Sequence, residues 1–262
     1  MSTSTFQLDP NIFNQTLYKK VIHVWFPGVD LSGQALDMNA VRRWFMGTPE
    51  EREAFDGICR TSFVHALESI GPDKVSEPSA QPFLDEMQRG RESSEEGAWT
   101  ALSLTLLLDQ MPRNIYRTDQ GLRKVYTHYD RMAYALSRAL LSTSPLARPD
   151  KHPVFARSGP HRLWFYMPLM HSEDLEAHHL LDEILAEYGK HVRALEGIEG
   201  SKMFLDAQLK AAKEHREILE KFGRYPHRNS ALGRESTQAE TEFLESGGAT
   251  FGVARQKKGT AV

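Results

Sequence analysis

Residues 98–114 read AWTALSLTLLLDQMPRN, and this stretch decides the class of fold. Its leucines surround the axis of a helix and do not form a single stripe: Leu102, Leu104, Leu106, Leu107 and Leu108. A helix that is apolar on every side is stable only when other elements cover it on every side. We therefore predict a central, buried helix from Ala98 to Met111.

The polar end of this stretch needs partners. An isolated buried charge costs several kcal/mol even after relaxation. Asp109 and Arg113 are four residues apart, so they share one face of a continuous helix and can pair with each other. Pro112 removes a backbone donor and crowds the carbonyl of Leu108, which predicts a kink with polar backbone left for a ligand or a side chain. The pair is either a structural link in a kinked core helix or part of a site.

Helical periodicity dominates the N-terminal half. The sequence Thr48-Pro49-Glu50-Glu51 has the form of a capping box with proline in the first turn. It predicts a helix that buries one row of side chains: Phe55, Ile58, Cys59 and Phe63. Residues 21–26 fit either a short strand or a buried first helix. Residues 72–97 are polar and predict a long loop, inserted into the fold, with a short helix inside it.

The C-terminal half also predicts a string of helices. They are expected over residues 118–141, from an N-cap at Ser172, over 201–222 with a stop at Gly223, and from a capping box at Thr237 and Glu240. Antiparallel helices joined by short loops are the natural packing for such a string. We predict an all-α, irregular antiparallel helical stack that forms a single domain, with its core over residues 21–251 and a flexible tail at 252–262.

Composition excludes several classes of protein. The formal net charge is −3, which does not suit the clustered positive charge that nucleic-acid binding requires. No stretch approaches the length of ~20 apolar residues that spans a membrane, and the first residues do not resemble a signal peptide. The single cysteine, Cys59, cannot form an intramolecular disulfide, and its apolar neighbours predict a core position. We expect a cytoplasmic protein without nucleic-acid or membrane partners.

Candidate site residues concentrate between His215 and Arg234. His215 shares a helix face with Ala211, Ala212, Ile218, Leu219 and Phe222, so its ring is expected to point inward. The following connection contains Arg224, Arg228 and Arg234, and guanidinium groups bind phosphate or carboxylate in a bidentate manner. The helix that starts at Thr237 offers free N–H groups to the same anion. A network that only caps the loop would use the same side chains.

A third cluster centres on His171. Its expected place at the start of a helix favours the neutral form of the imidazole, which can serve as a general base or as a metal ligand. A mixed metal site would combine His171 with Asp109, Glu173 and His178. The spacing of these residues matches no recognised metal motif.

Three long motifs resemble the domain-of-unknown-function family 924. They are LLDQMPRN at 107–114, YMP at 166–168 with HSE at 171–173, and FGRYPHRN at 222–229 followed by LGR at 232–234 and ST at 236–237. Smaller matches include Trp25-Phe26, Trp44-Phe45, Phe55-Asp56 and Asp130. The resemblance runs from about Val21 to Phe251 and implies an all-helical fold resembling tetratricopeptide-repeat proteins, with no established reaction. His178 departs from the family pattern, in which Gln is expected, and so does the loop after Pro72.

The residues predict an enzyme or binding protein for an anionic small molecule, with acid–base function supplied by three histidines and an orienting carboxylate. The catalytic candidates are His171, His215, His227 and Asp109. The ligand-binding candidates are Gln110, Arg113, Arg224, Arg228, Asn229 and Arg234. The alternatives are a helical interaction protein whose polar motifs are structural, and a metalloenzyme. Cofactor, substrate and oligomeric state are left open by the sequence.

Overall fold

Helices make up nearly all the regular structure of this computed structural model, which describes residues 6–89, 94–142 and 148–251. They are α1 (Gln15–Trp25), α2 (Met38–Val41), α3 (Pro49–Ser69), α4 (Gln81–Gln88), α5 (Ser94–Ile115), α6 (Asp119–Lys124), α7 (Asp130–Leu140), α8 (Gly159–Met170), α9 (Leu175–Ala194), α10 (Glu199–Phe222), α11 (Asn229–Leu232) and α12 (Gln238–Glu245). Single π-helical turns at Arg42–Met46 and Val125–Tyr129 extend α2 and join α6 to α7.

The all-α prediction is confirmed, since no residue in the described ranges is in a β-strand. Val21–Trp25 are the last turns of α1, so the strand interpretation of residues 21–26 is wrong and the helix interpretation is right. The predicted tail at 252–262 lies outside the described residues. The tetratricopeptide-like arrangement stays a prediction. Within the described part of the chain, no helix is long and apolar enough to cross a membrane.

Helix α5 lies at the centre, as its leucines predict. It contacts α1, α3, α7 and α8, and its residues from Ala101 to Leu108 are completely buried. It begins at Ser94, so the polar loop after Pro72 is shorter than expected, and α4 is the short helix inside it. The helix continues through Pro112 to Ile115. One core extends from Leu8 to Ala212 around α5.

The capping box at the start of α3 is confirmed, with the Thr48 hydroxyl and the Glu51 carboxylate exchanging hydrogen bonds with each other's backbone N–H. Cys59 and Phe63 are completely buried, as predicted. Ile58 is 51% exposed, so its predicted burial is wrong. One residue turns an α-helix by about 100°, which takes Ile58 away from the face of Cys59 and onto the surface.

The start of α9 differs from the prediction. Asp174 is the N-cap, accepting a hydrogen bond of 3.1 Å from the N–H of Glu176, and Ser172 only accepts from the N–H of Asp174. His171 is therefore the C-cap of α8 and does not lie in the first turn of a helix. The expected help from a helix N-terminus is absent, and another cause must keep its ring neutral.

The connection between α10 and α12, which contains Arg224, His227, Arg228 and Arg234 and is called the His/Arg connection below, begins and ends at the two signals that the sequence predicts. Helix α10 ends at Gly223, whose φ of +70° is the left-handed conformation that glycine adopts at helix C-termini. Helix α12 opens with the capping box of Thr237 and Glu240. A small separate cluster of Ile218, Leu219 and Tyr225 packs under this connection.

Candidate functional site

A cavity of about 590 Å³ lies among the C-terminal ends of α5 and α8, the middle of α10 and the connection that follows α10. Small-molecule pockets commonly have volumes of about 300–1,000 Å³. Six of the predicted site residues line it: Gln110, Arg113, His171, His215, His227 and Arg228. They come from four separate segments of the sequence, so the predicted convergence holds for this part of the set.

The other basic candidates lie away from the cavity. Arg224 binds both carboxylate oxygens of Glu240, at 2.7 and 2.8 Å. Arg234 forms a bidentate pair with Glu173, at 2.8 and 2.9 Å. The Asn229 amide donates to Ser236 and Glu240. Apart from Nε of Arg234 and Oδ1 of Asn229, which are buried without a partner, these groups are held by carboxylates, a hydroxyl or backbone of the protein, so the loop-capping interpretation describes them better than anion binding does.

Asp109 lies behind the cavity wall and holds His171 in place. Its Oδ1 is 2.8 Å from Nδ1 of His171, and its Oδ2 accepts a hydrogen bond of 2.5 Å from the Gln110 amide. An ionised carboxylate only accepts hydrogen bonds, so Nδ1 of His171 carries the proton and Nε2 keeps its lone pair. The orienting role expected of Asp109 fits this geometry.

Two causes keep the His171 ring neutral at neutral pH. Burial, and next the positive charge of Arg113, lower the pKa of His171 below its ordinary value, although Asp109 acts in the opposite direction. Burial alone would raise the pKa of Asp109, but His171 and Arg113 outweigh it and lower that pKa. The pair is therefore a neutral imidazole hydrogen-bonded to a carboxylate.

Arg113 is fixed more firmly than the sequence suggests. It makes the expected contact with Asp109, at 3.7 Å, and also a bidentate pair with Asp130 at 2.6 and 3.0 Å. Its Nη1 also donates to the backbone carbonyl of Asp109, at 2.7 Å. The Arg113 side chain therefore binds a backbone carbonyl in the helical turn that contains Pro112. Arg113 lines the cavity with its hydrogen bonds largely committed to carboxylates and backbone.

Arg228 is held less completely than Arg113. Its nearest carboxylate oxygen, on Asp130, is 3.8 Å away, and its Nη2 donates to the His171 carbonyl at 2.8 Å. The guanidinium lies over the rings of Tyr126 and Tyr225, at 4.5 and 4.8 Å from their centroids. Its Nε is buried without a hydrogen-bond partner. This buried cation therefore retains capacity to bind an anion.

His215 and His227 flank the same region. The Nδ1–H of His215 donates to the Ala211 carbonyl at 2.7 Å, and its ring stacks on Phe251 at 3.6 Å between centroids. Nδ1 of His227 is buried and unpartnered. Burial lowers the pKa of His215 to about 3 and that of His227 to about 2, with the charge of Arg228 contributing in both cases. Both rings are neutral at neutral pH.

Several residues that line this cavity carry a buried polar atom without a partner in the protein. Besides those of Arg228 and His227, these atoms include both amide atoms of Gln208 and Nη1 of Arg43. More than nine-tenths of buried polar groups in native proteins have partners, and an unsatisfied group costs about 1–3 kcal/mol. Water or a ligand in the cavity can satisfy such groups.

The residues of the metal alternative do not form one donor set. Glu173 is engaged by Arg234, and Nε2 of His178 lies 3.0 Å from the Ser172 carbonyl and 3.2 Å from the Tyr225 hydroxyl. Over the described ranges, no group of three or more histidine, cysteine or acidic side chains is arranged to hold a metal ion.

Residues 21–248 match the family of bacterial proteins of unknown function called DUF924. The chain belongs to the DUF924 family. Its structure is similar to that of a protein of unknown function from Agrobacterium tumefaciens, with a TM-score of 0.57 and 25% sequence identity over 91% of this chain and 100% of the other. No curated protein matches the chain. The DUF924 match includes every residue that lines the cavity except Phe251.

Sequence reasoning missed most of the wall of this DUF924 cavity. Arg43, Trp44, Phe45 and Arg52 line it from the π-helical turn after α2 and the start of α3. No spacing in the sequence connects that segment to the His/Arg connection. A signal did exist at the end of α5, where cavity residues recur at positions 110, 113 and 114, the period of one helix face.

Proposed function

We propose that this protein binds an anionic small molecule in the cavity and that His171, oriented by Asp109, acts on it as a general base or acid. The observation that carries the proposal is that Nε2 of an oriented, neutral histidine and an incompletely paired arginine, Arg228, belong to the same cavity. A neutral imidazole is the form that accepts a proton.

The roles divide according to the hydrogen bonds. Arg228 binds the anionic group, because its Nε is unpartnered and, among the described residues, the one carboxylate that forms an ion pair with it, at 3.8 Å, already pairs with Arg113. Arg113 and Asp109 are positioning residues. His227 has an unpartnered ring nitrogen, so it supplies a further hydrogen bond to the ligand. Proton transfer to or from a carbon or oxygen next to the anionic group is the chemistry that this set supports.

The binding half of the proposal is tested by a thermal-shift screen of carboxylated and phosphorylated compounds. A ligand at 100 times its Kd stabilises the native state by about 2.7 kcal/mol. Wild-type protein and His179→Gln should respond alike, because His179 is an exposed histidine outside the cavity. Arg228→Met should lose the response. A screen in which no anion raises the melting temperature would favour the interaction-protein alternative.

The acid–base half is tested by NMR of the histidine rings, with His171 assigned from the signals lost in His171→Gln. The signals should show a neutral ring protonated at Nδ1 at pH 7, and they should move when an anion from the screen is added. The signals of His179 should stay in place. A His171 ring that is charged at pH 7, or that does not respond to the bound anion, would contradict the role given to it.

A further inference from the structure

The cavity is long in one direction. Phe204 and His215 both line it and both belong to α10, eleven residues apart. At 1.5 Å of rise per residue, about 16 Å of helix separates them. The cavity therefore runs along α10 for about three turns, much further than a small anion extends.

One end of this length is aromatic. Phe204 lies against Trp44, with ring centroids 6.4 Å apart, and Trp44 stacks on Trp25 at 6.3 Å. Phe45 lines the same end and is 48% exposed. Burying an exposed ring against a ligand is favourable in proportion to the apolar area removed from water. The rings at this end suit an apolar group, and Arg43 and Arg52 line the cavity from the same segment of the chain.

The other end is polar. His215 contacts Tyr225, with ring centroids 5.8 Å apart, and Tyr225 lies beside His227 at 5.6 Å and beneath the Arg228 guanidinium at 4.8 Å. The His171 carbonyl accepts a hydrogen bond from the same guanidinium. Arg228 and His227, the two cavity residues of this connection that carry unpartnered polar atoms, therefore lie at the His215 end of α10, where Glu214 also lines the cavity.

The stretch between the two ends combines small and apolar side chains with two polar side chains of α10, Gln208 and Glu214. Ala207 and Ala211 are the cavity residues of α10 between Phe204 and His215 that carry only a methyl group. Met167 and Met170 of α8 line the cavity as well, and methionine side chains adapt to irregular apolar shapes. An unbranched apolar body fits such a passage.

We propose that the ligand is an amphipathic anion, with a carboxylate or phosphate head at Arg228 and an extended apolar body that runs along α10 to the aromatic end. The position of the head rests on the proposed function; the body rests on the length and lining of the cavity. Carboxylate and phosphate heads share the chemistry that Arg228 recognises, and the experiment distinguishes them.

The test is calorimetric titration of the full chain with n-alkyl carboxylates and n-alkyl phosphates from about two to twelve carbons. Each methylene buried should tighten Kd about fourfold, since it contributes about 0.8 kcal/mol. The gain should stop once the tail fills the cavity. Whichever head gives the lower Kd at equal tail length identifies the class of anion.

A matched pair of variants locates the tail. Ala211→Leu narrows the passage one turn before His215, and it should weaken long-chain anions by at least about tenfold while leaving the two-carbon anion unchanged. Ala54→Leu makes the same change at an exposed position of α3 outside the cavity and should alter neither. Equal weakening by the two variants would overturn the placement of the tail.

The possible failures are distinguishable. Short anions that bind without any gain from a longer tail would overturn the amphipathic ligand and leave the proposed function standing. Alkyl alcohols that bind as tightly as the carboxylates would support the apolar body and overturn the anionic head, and with it the proposed function. No binding by any member of either series would overturn this inference, whatever the thermal-shift screen shows.

Discussion

Arg228→Met is the substitution that best separates function from stability in this protein. It removes a buried cation and keeps most of the side-chain volume. The losses are two contacts with aromatic rings, worth about 0.5–2 kcal/mol each, and one charge-assisted hydrogen bond to the His171 carbonyl, worth about 1.5–3 kcal/mol. The gain is the desolvation penalty of a guanidinium, several kcal/mol.

These opposing contributions nearly cancel, so we expect Arg228→Met to change the free energy of unfolding by no more than about 1 kcal/mol. Binding of the anion should weaken about 10- to 150-fold, because a hydrogen bond to a charged group is worth about 1.5–3 kcal/mol. Arg113→Met is the contrasting variant. It removes the bidentate partner of Asp130 and the positive charge beside Asp109, which keeps only its hydrogen bonds from His171 and Gln110, and this should cost about 3–5 kcal/mol.

Urea denaturation of the three proteins at pH 7.5 measures the stability difference, and titration with a medium-chain alkyl carboxylate measures binding. The reasoning is refuted if Arg228→Met loses as much stability as Arg113→Met, since Arg228 would then be part of the structural network. It is equally refuted if Arg228→Met binds the carboxylate as tightly as the wild-type protein does.

Two further predictions concern the surroundings of the site. Arg234→Ala removes the bidentate partner of Glu173, whose side chain is about a quarter exposed. The substitution should lower the free energy of unfolding by about 1–2 kcal/mol in urea denaturation and should not change Kd for the anion. In the folded protein the pKa values of His215 and His227 are about 3 and about 2, below the ordinary value of 6.5. Below pH 6.5 these two histidines therefore bind protons in the unfolded chain and stay neutral in the folded protein. The free energy of unfolding falls as the pH decreases from 6.5. By pH 5 each histidine should contribute a loss of at most about 2 kcal/mol, and His227→Gln should show a smaller difference between denaturation curves at pH 7.5 and pH 5 than the wild-type protein does.

The class of fold was predictable because its signals are local. Capping boxes, the left-handed glycine at 223 and the all-round apolar surface of α5 depend on neighbours within one or two helical turns. The errors were also local in origin. Ile58 was assigned to the core because it is hydrophobic, but the helix buries its neighbour Cys59 and leaves Ile58 exposed. Ser172 was assigned as an N-cap because of its residue type, but Asp174, two residues later, is the N-cap.

The candidate site was predictable only in part, because similar side chains in one connection have different partners. Arg224, Arg228 and Arg234 looked equivalent in the sequence. The spacing of Thr237 and Glu240 predicts their capping box, but it does not predict that the Glu240 carboxylate also pairs with Arg224. Glu173, the partner of Arg234, comes from a different helix connection. Only the three-dimensional arrangement shows which arginine, Arg228, is left without a bidentate carboxylate partner.

The two halves of the connection after α10 therefore have opposite electrostatic designs. Around Arg234 and Glu173, and around Arg224 and Glu240, each guanidinium is matched by a carboxylate, so an anion arriving there would have to displace a bidentate pair. At Arg228 the one carboxylate within reach is shared with Arg113 and lies 3.8 Å away. An anion that binds Arg228 displaces no carboxylate and removes an unsatisfied buried donor. This difference in pairing is the physical reason to place the anionic group of the ligand at Arg228, at the polar end of the cavity, and not at Arg224 or Arg234, which are more exposed.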